Sequence, residues 1–437
     1  MRISDASALR LARLILSGAV LFAASRAAAA GELRPVLHLP LGGLLTGTAA
    51  DGTEIVPVKF SRGTPATFWD ANAQRLGDAE PDAPRYERQP GKFWGSTTGL
   101  FVEAEVTNLF THSSFEADQS LAAWKTRREL KVSRIDGGAH GKSGLRLEGR
   151  GRLFQTIKLP VETQQPWHNR FCVSFFVRRE DGEPVSQYDI YPLAATSEAG
   201  QNGIPDIDIF REIKERGPWV RVAGKFGFNG RRLEQDVWTC GLEAASGAAL
   251  IVDAIQLEQG RGQNYGGGAT SFIPTQDQPA RRASDSLAYD LKPFINRPQG
   301  TIAFWTWNPE TPSPCGKYMI AHGNSPYGQF DFQGVTWGGS RVAFQQQYFP
   351  KPLQWTFLAF TWRPGGKGGV AEAFLNGRGN VNLREGPVPF EPNPPPIDDP
   401  VWIIYRSHEH IGLISDLMVF DTALTAGQVK QLYKFGK

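Results

Sequence analysis

Hydrophobic residues recur at every second position along most of the chain. Val173, Phe175 and Val177 follow this rule, and Leu145 and Leu147 do so after a glycine-rich turn. A period of two is typical of strands with one buried face. Glycine (48 residues) and proline (31 residues) interrupt these runs at short intervals. The pattern predicts an all-β fold made of two β-sandwich domains of the jelly-roll type.

Helix-like spacing is confined to the C-terminal end, at residues 423–435. There Leu424, Val429, Leu432 and Tyr433 recur at intervals of one helical turn. This spacing predicts an amphipathic helix.

The first thirty residues have the composition of an export signal. Arg2, Arg10 and Arg13 lead into an apolar run at residues 14–24, and the segment ends at Ala30 after three further alanines. This order is typical of a signal peptide cleaved near Ala30. The run is shorter than the ~20 residues that span a bilayer. We therefore expect a secreted protein, periplasmic or extracellular, with no transmembrane segment.

Charge changes the list of expected partners. The chain has 47 Lys and Arg against 44 Asp and Glu, and removal of residues 1–30 leaves 43 of each. A balanced chain without a basic stripe is not expected to bind nucleic acid.

The three cysteines leave two alternatives open. Cys172 and Cys240 lie in strand-like runs of one region and could form a disulfide in an exported protein. Alternatively they are small buried thiols, which is the favoured interpretation. If Cys172 and Cys240 are bridged, Cys315 cannot be paired within the chain.

Three regions and a linker follow the signal segment. Residues 31–106 form an irregular lead with one strand-like start, and residues 107–275 form a first strand-rich module. Residues 276–285 are a polar linker, and residues 286–437 form a second strand-rich module.

The first module carries four landmarks in order. They are NLFTHSSFE at residues 108–116 followed by Trp124, GKSGLRL at 141–147, FCVSFFVR at 171–178 and VDAIQLE at 252–258. These resemble the galactose-binding-like jelly rolls of carbohydrate-binding modules. The flanks, residues 97–105 before the module and residues 269–275 and 282–285 after it, resemble those of modules in phage-fibre and bacterial surface proteins.

The second module carries a different set of landmarks. They are GTIAFW at residues 300–305, WTFLAFTW at 355–362, AFLNGR at 373–378 and GLISDLMVFDTAL at 412–424. These resemble laminin-G-like, concanavalin A-like jelly rolls. Residues 37–43 and 48–52 resemble the first strand and turn of that same family. We therefore expect residues 33–60 to pack on the C-terminal domain, with the first module inserted between them.

The carbohydrate-module resemblance implies a structural calcium ion. Family members commonly share it between an acid at the "S-F-E" opening and an acid on the last strand, which here are Glu116 and Asp253. Hard oxygen ligands suit calcium. The alternative is a buried acid that caps a turn.

Carbohydrate recognition needs flat aromatic faces beside polar groups. Five tryptophans fall at positions expected in the core: Trp124, Trp219, Trp305, Trp355 and Trp362. The candidate ligand-binding residues lie off that pattern: Tyr188, Tyr191, Asp206, Asp208, Phe176 and Trp337.

The favoured function is non-catalytic, lectin-like binding of a polysaccharide or cell-surface glycan, or adhesion at a cell surface. One alternative is a phage-fibre-like or surface-display protein with no sugar site. Another is a glycoside hydrolase or lyase that uses Asp206, Asp208 and Glu212, because closely spaced carboxylates serve retaining glycosidases. Residues 136–143 nearly match a phosphate-binding loop, but Asp136 replaces its first glycine and no helix is predicted to follow.

Overall fold

The computed structural model describes residues 33–88, 98–160, 170–195, 212–227, 237–260, 269–295, 297–307, 318–322, 328–331, 334–337, 340–345, 347, 351, 354–365, 368–379, 381, 388–390, 401–404 and 411–435. These residues form mainly β-strands, which confirms the all-β prediction. The described helices are α1 (Lys292–Ile295), α2 (Ala426–Phe435) and a 3-10 helix (Asp118–Ala123). No helix in this part of the chain is long and apolar enough to span a membrane.

The lead segment is richer in strands than its pattern predicts. Its strands are β1 (Leu37–Leu39), β2 (Gly47–Ala49), β3 (Glu54–Ile55), β4 (Lys59–Ser61), β5 (Ala66–Asp70), β6 (Arg75–Ala79), β7 (Arg85–Arg88) and β8 (Thr98–Glu103). The prediction of one strand-like start is therefore wrong. The strands have two to six residues, too few for a period of two to stand out, and three of them, β1, β4 and β8, pair with distant segments.

The central module is a sandwich of two antiparallel sheets. Its strands are β9 (Val106–Asn108), β10 (Lys125–Arg128), β11 (Lys131–Asp136), β12 (Ser143–Glu148), β13 (Gly151–Lys158), β14 (Arg170–Arg179), β15 (Ile190–Ala195), β16 (Glu212–Arg216), β17 (Trp219–Gly227), β18 (Val237–Ala244), β19 (Leu250–Gly260) and β20 (Ala280–Arg282). The described strands of the smaller sheet run in the order β10-β13-β18-β15, and those of the larger sheet in the order β11-β12-β19-β14-β17-β16. Phe175, Trp238 and Val252 belong to the core between them.

The C-terminal module is a second sandwich. Its strands are β21 (Ser286–Tyr289), β22 (Gly300–Trp307), β23 (Tyr318–His322), β24 (Gly328–Asp331), β25 (Gly334–Trp337), β26 (Ser340–Ala343), β27 (Trp355–Gly365), β28 (Gly368–Leu375), β29 (Val388–Phe390), β30 (Val401–Ile404) and β31 (Ile411–Phe420). The described strands form one sheet in the order β29-β28-β27-β22-β31-β1-β2-β3 and another in the order β26-β25-β24-β23-β30-β21-β4.

Strands of the lead therefore complete both C-terminal sheets. β1 pairs with β31, with Leu37 opposite Val419, and β4 pairs with β21, with Phe60 opposite Leu287. Leu37 and Leu287 lie in one buried cluster with the C-terminal core. The central strands form their own sheets, so the first module is inserted in the sequence of the second.

The C-terminal helix α2 lies where its periodicity predicts. Thr425 and Gln428 form a reciprocal capping box at its start: the Gln428 amide N–H donates to Thr425 Oγ1 (3.3 Å), and the Thr425 N–H donates to Gln428 Oε1 (2.8 Å). Tyr433 packs on Trp305, with ring centroids 5.7 Å apart. The helix thereby covers an outer sheet face that includes Trp305 and Phe357.

The aromatic and cysteine predictions have clear outcomes. All five tryptophans expected in the core are buried. Cys172 and Cys240 are buried free thiols, so the disulfide alternative is wrong. Cys240 packs in the core between the central sheets, whereas Cys172 contacts Ala223 and Ala269 in a separate cluster. Cys315 lies outside the described residues.

A buried ion cluster joins the lead to both ends of the central module. Arg85 forms ion pairs with Glu103 (2.5 Å) and Asp285 (2.5 Å), and Arg62 contacts Asp285 (3.2 Å). Arg282 lies 3.1 Å from Glu103. Burial alone would raise the pKa of Glu103, but Arg282 and Arg85 outweigh it and hold the pKa at about 2. Glu103 is therefore ionised at neutral pH.

Candidate functional site

The two predicted calcium ligands meet at the loop between β11 and β12. Glu116 Oε1 accepts the backbone N–H groups of Lys142 (2.8 Å) and Ser143 (3.0 Å). Asp253 Oδ2 accepts the N–H of His140 from the same loop (2.7 Å). The loop therefore connects an acid from the start of the module with an acid on its last long strand.

Two glycines let the loop backbone approach these carboxylates. A Cβ on Gly138 would lie 2.6 Å from Asp253 Oδ2 and 2.2 Å from the Ser143 carbonyl oxygen. Gly141 has a φ of +62°, and a Cβ there would lie 2.3 Å from Glu116 Oε1. Because no side chain fits at either position, the loop is shaped around the two acids.

One oxygen of the buried Asp253 carboxylate lacks a partner among the described residues, and a cation could supply it. Asp253 is fully buried, and its Oδ1 atom has no hydrogen-bond partner among the described residues. Burial raises the pKa of Asp253 well above its ordinary value, and the charge of Glu116 adds to this rise against the opposing N–H of His140. Such an orphaned carboxylate oxygen is costly in a protein interior.

The residues present fit a calcium ion only with help from other oxygens. Calcium takes six to eight oxygen ligands, including backbone carbonyls and water. No group of three or more His, Cys, Asp or Glu side chains that could hold a metal occurs in the described part of the chain. Glu116 and Asp253 would therefore be the charged ligands of a site completed by neutral oxygens.

The predicted aromatic residues Tyr188 and Tyr191 flank the start of β15. Tyr188 is 65% exposed and lies in a turn that is held by Asp189. Asp189 Oδ2 accepts the Ser186 N–H (2.7 Å), and the Asp189 carbonyl accepts the Ala245 N–H (2.8 Å). Tyr188 is therefore an accessible ring on an anchored turn.

Tyr191 lies on the outer face of the smaller central sheet. Its neighbours Ile190 and Ala194 point into the core, so the alternating position Tyr191 points outward. It stands opposite Glu243, which binds Arg152 (2.9 Å) and Arg128 (2.8 Å). The outer face therefore presents a polar, charged row beside a half-buried tyrosine.

This sheet face does not expose a row of aromatic rings among the described residues. Phe154 is the aromatic residue of its cluster on that face, and it is buried with Leu193 and Ala195. Of the aromatics predicted from the sequence, Tyr188 is the accessible one within the described set.

Phe176 is not a ligand-binding residue, so that prediction is wrong. It does point away from the core-facing Phe175, but it is only 2% exposed. Trp69 of the β5–β6 hairpin stacks on it, with ring centroids 5.8 Å apart and planes 4° from parallel. A segment about a hundred residues earlier in the chain covers the ring, which the local pattern cannot reveal.

The remaining candidates lie wholly or partly outside the described residues. Asp206 and Asp208 are not described. Trp337 and Glu212 have described backbones in β25 and β16, where Trp337 pairs with Gly328 and Glu212 with Ala223. Their side chains lie outside the described part, so these predictions stay predictions.

A cleft that was not predicted opens beside the β11–β12 loop. Its volume is about 730 Å³, and the β5–β6 hairpin forms one wall while the β11–β12 loop and the start of β17 form the others. Arg75, Lys142 and Arg178 line it together with Asp136. The Arg178 guanidinium lies over the Trp219 ring, 5.3 Å from its centroid. The cations come from segments far apart in the sequence, so no local motif reveals them.

The β11–β12 loop is not a nucleotide site of the phosphate-loop type. β11 ends at Asp136 and β12 begins at Ser143, so the loop joins two antiparallel strands. The phosphate-loop motif needs a helix behind it.

No protein-family model matches this chain, and no curated protein matches its sequence significantly. Some solved structures are similar in part. One is domain 4 of AbnA, a GH43 extracellular arabinanase from Geobacillus stearothermophilus, in complex with arabinotriose (16% identity, 38% of this chain and 82% of that chain, TM-score 0.25). Another is the N-terminal CBM22-1-CBM22-2 tandem domain of Paenibacillus barcinonensis Xyn10C (13% identity, 74% and 98%, TM-score 0.26). A third is the CBM22-1 xylan-binding domain of the same protein (15% identity, 36% and 94%, TM-score 0.22). These likenesses assign no ligand to this chain.

Proposed function

We propose that this protein is an exported, non-catalytic glycan-binding protein whose central module contacts sugar through Tyr188. The observation that carries the proposal is the exposure of this ring on a turn that is already fixed by Asp189. A ring on a turn whose backbone is already fixed requires less ordering of the chain when a sugar stacks on it.

The surroundings of Tyr188 support this role. Tyr191 follows three residues later, in β15, and stands opposite Glu243, which pairs with Arg152 on the outer sheet face. Aromatic area next to charged and polar groups is the combination that orients a hydroxyl-rich ligand.

The test is the affinity of the full chain for a panel of polysaccharides, measured by calorimetry for the wild type and for Tyr188→Ala. Removal of the ring is expected to weaken binding about tenfold. Tyr188→Phe keeps the ring and is expected to bind almost as well as the wild type.

Val58→Ala is the control, because Val58 is 56% exposed on the lead segment, away from this turn. Unchanged affinity of Tyr188→Ala, or absence of binding to every polysaccharide in the panel, contradicts the proposal.

We also propose that the Glu116 and Asp253 pair holds a structural calcium ion. Calcium supplies charge neutralisation to the buried carboxylate, and Glu116 orients the loop through its two backbone contacts. Ion binding to the folded state raises stability by mass action.

The calcium proposal predicts a melting temperature that rises with added calcium and falls in a chelator. Asp253→Asn is expected to lose this response, while Asp181→Asn, which removes an exposed acid of the same module, is expected to keep it. A wild-type melting temperature that does not differ between calcium and chelator contradicts the site.

A further inference from the structure

We propose that the cleft between the β5–β6 hairpin and the β11–β12 loop binds the acidic group of a uronic-acid-containing polysaccharide. The inference deepens the proposed glycan-binding function and rests on it, but it concerns a different surface from Tyr188. It follows from how the cleft is built, from the cations that line it, and from the fact that its walls come from distant parts of the chain.

The cleft is held open by contacts on both sides. The Leu76 N–H donates to the Ala139 carbonyl (2.7 Å), and Leu76 and His140 form a parallel bridge. His140 Nε2 lies 3.0 Å from Asp78 Oδ1. The hairpin is therefore fastened to the loop along its length, and the space beside it is a fixed feature of the surface.

The tip of the hairpin closes the far end of the cleft. Gly217, in the turn between β16 and β17, has a φ of +60° and packs on Gln74: a Cβ on this glycine would lie 3.1 Å from the Gln74 side chain. The cleft is thus bounded by three turns that come from different parts of the chain.

The side chains that line the cleft carry more positive than negative charge. Three cations, Arg75, Lys142 and Arg178, face one acid, Asp136. In the part of the chain that the structure describes, neither Arg178 nor Lys142 forms an ion pair, and Arg75 Nη1 donates to the Gly141 carbonyl (3.3 Å). An anion in the cleft would be attracted by all three cations.

The geometry of the cations favours a planar or tetrahedral anionic group on a larger ligand. Arg178 is half-buried and lies over Trp219, so its guanidinium is oriented before a ligand arrives. Guanidinium groups bind carboxylates through two parallel hydrogen bonds, and Lys142 adds a point charge. A volume of about 730 Å³ accommodates a sugar residue together with its carboxylate.

Polygalacturonate and its highly methyl-esterified form are the probes, because they share one backbone and differ in charge. The full chain is expected to bind polygalacturonate at least tenfold more tightly than the ester. The variant Arg75→Gln/Lys142→Gln/Arg178→Gln is expected to lose this preference. Lys142→Glu is a second variant that alters one residue only and leaves the contact between Arg178 and Trp219 intact. It is expected to lose most of the preference.

The matched control is Arg127→Gln/Lys131→Gln/Arg150→Gln, which removes three exposed cations that do not line the cleft. Equal loss of affinity in control and cleft variants shows unspecific charge attraction and overturns the inference. Equal binding of both polymers by the wild type also overturns it, as does cleft-dependent binding of duplex DNA at the same salt concentration.

The outcomes separate this inference from the proposed function. Binding of neutral polysaccharides through Tyr188, with no preference for polygalacturonate, overturns the cleft inference and leaves the proposed function intact. Loss of binding in Tyr188→Ala but not in the cleft variants has the same meaning. Absence of binding to any polysaccharide overturns both.

Discussion

At the scale of single residues, burial shifts the pKa of an acidic side chain, and Glu258 is a clear case. Its carboxylate accepts the Thr270 N–H (2.9 Å) and the Gln256 side-chain N–H in the interior of the central module. Burial raises the pKa of Glu258 to about 7, although Arg221 and Arg282 lower it. Glu258 therefore exchanges its proton near neutral pH.

The raised pKa predicts that stability falls as the pH rises. The unfolded chain has the ordinary glutamate pKa of 4.5, so between about pH 4.5 and pH 7 the folded protein binds more protons than the unfolded chain. The free energy of unfolding then decreases across this window by up to about 3 kcal/mol. Glu258→Gln removes the titration and keeps one acceptor oxygen. Urea unfolding of both proteins at several pH values checks this, and a slope unchanged by the substitution contradicts it.

Residues also differ in how far sequence reasoning reaches them. The landmarks single out Glu116 and Asp253, and the structure brings both to one loop, while their role as calcium ligands stays a prediction. The burial of Phe176 and the cations of the cleft escape such reasoning, because partners from the lead segment create both. A local pattern reports which face a side chain occupies, but not what covers that face.

At the scale of elements, the β5–β6 hairpin alters the surface of the central module, because it covers Phe176 and forms one wall of the cleft. It forms a two-stranded sheet of its own, which is marginal without packing. Trp69 and Leu76 supply that packing against Phe176 and Ala139. The hairpin therefore owes its stability to docking on the larger central sheet.

Trp69→Ala is expected to undock the hairpin at a cost of about 3 kcal/mol, since the substitution removes a large, buried aromatic side chain. Urea unfolding measures the cost. Trypsin is expected to cleave faster at the exposed Arg75, which follows the hairpin turn. Phe68→Ala, on the half-buried face of the same hairpin, is the control and should change the cleavage rate little. Equal cleavage in wild type and Trp69→Ala contradicts this account.

Elements also differ in how well the sequence predicts them. The long strand β14 and the helix α2 repeat their period often enough to be identified from sequence, and β22 and β27 are identified by their landmarks. The two- and three-residue strands β2, β3 and β4 do not, because their extended form comes from pairing partners rather than from their own residues.

At the scale of the whole molecule, the insertion requires the chain to leave and re-enter the C-terminal sandwich at one place. Glu103 ends the strand that precedes the central module, Arg282 lies in the last strand of the module, and Asp285 follows it. Arg85 pairs with Glu103 and Asp285, Arg62 pairs with Asp285, and Arg282 pairs with Glu103, which closes this junction. Every member is buried, so each charge depends on its partners for compensation.

Because the charges at this junction are buried, we expect removal of one partner to lower the free energy of unfolding strongly. Arg85→Met leaves Glu103 and Asp285 buried without their closest cation and is expected to lower the free energy of unfolding by about 3 to 5 kcal/mol. Arg128→Met breaks the more exposed pair with Glu243 and is expected to cost at most about 1 kcal/mol. Urea unfolding compares the two variants. If the junction also couples the modules, Arg85→Met unfolds in two separate transitions, whereas Arg128→Met keeps the wild-type number. Equal costs for the two substitutions would show that the buried cluster contributes no more than a surface pair.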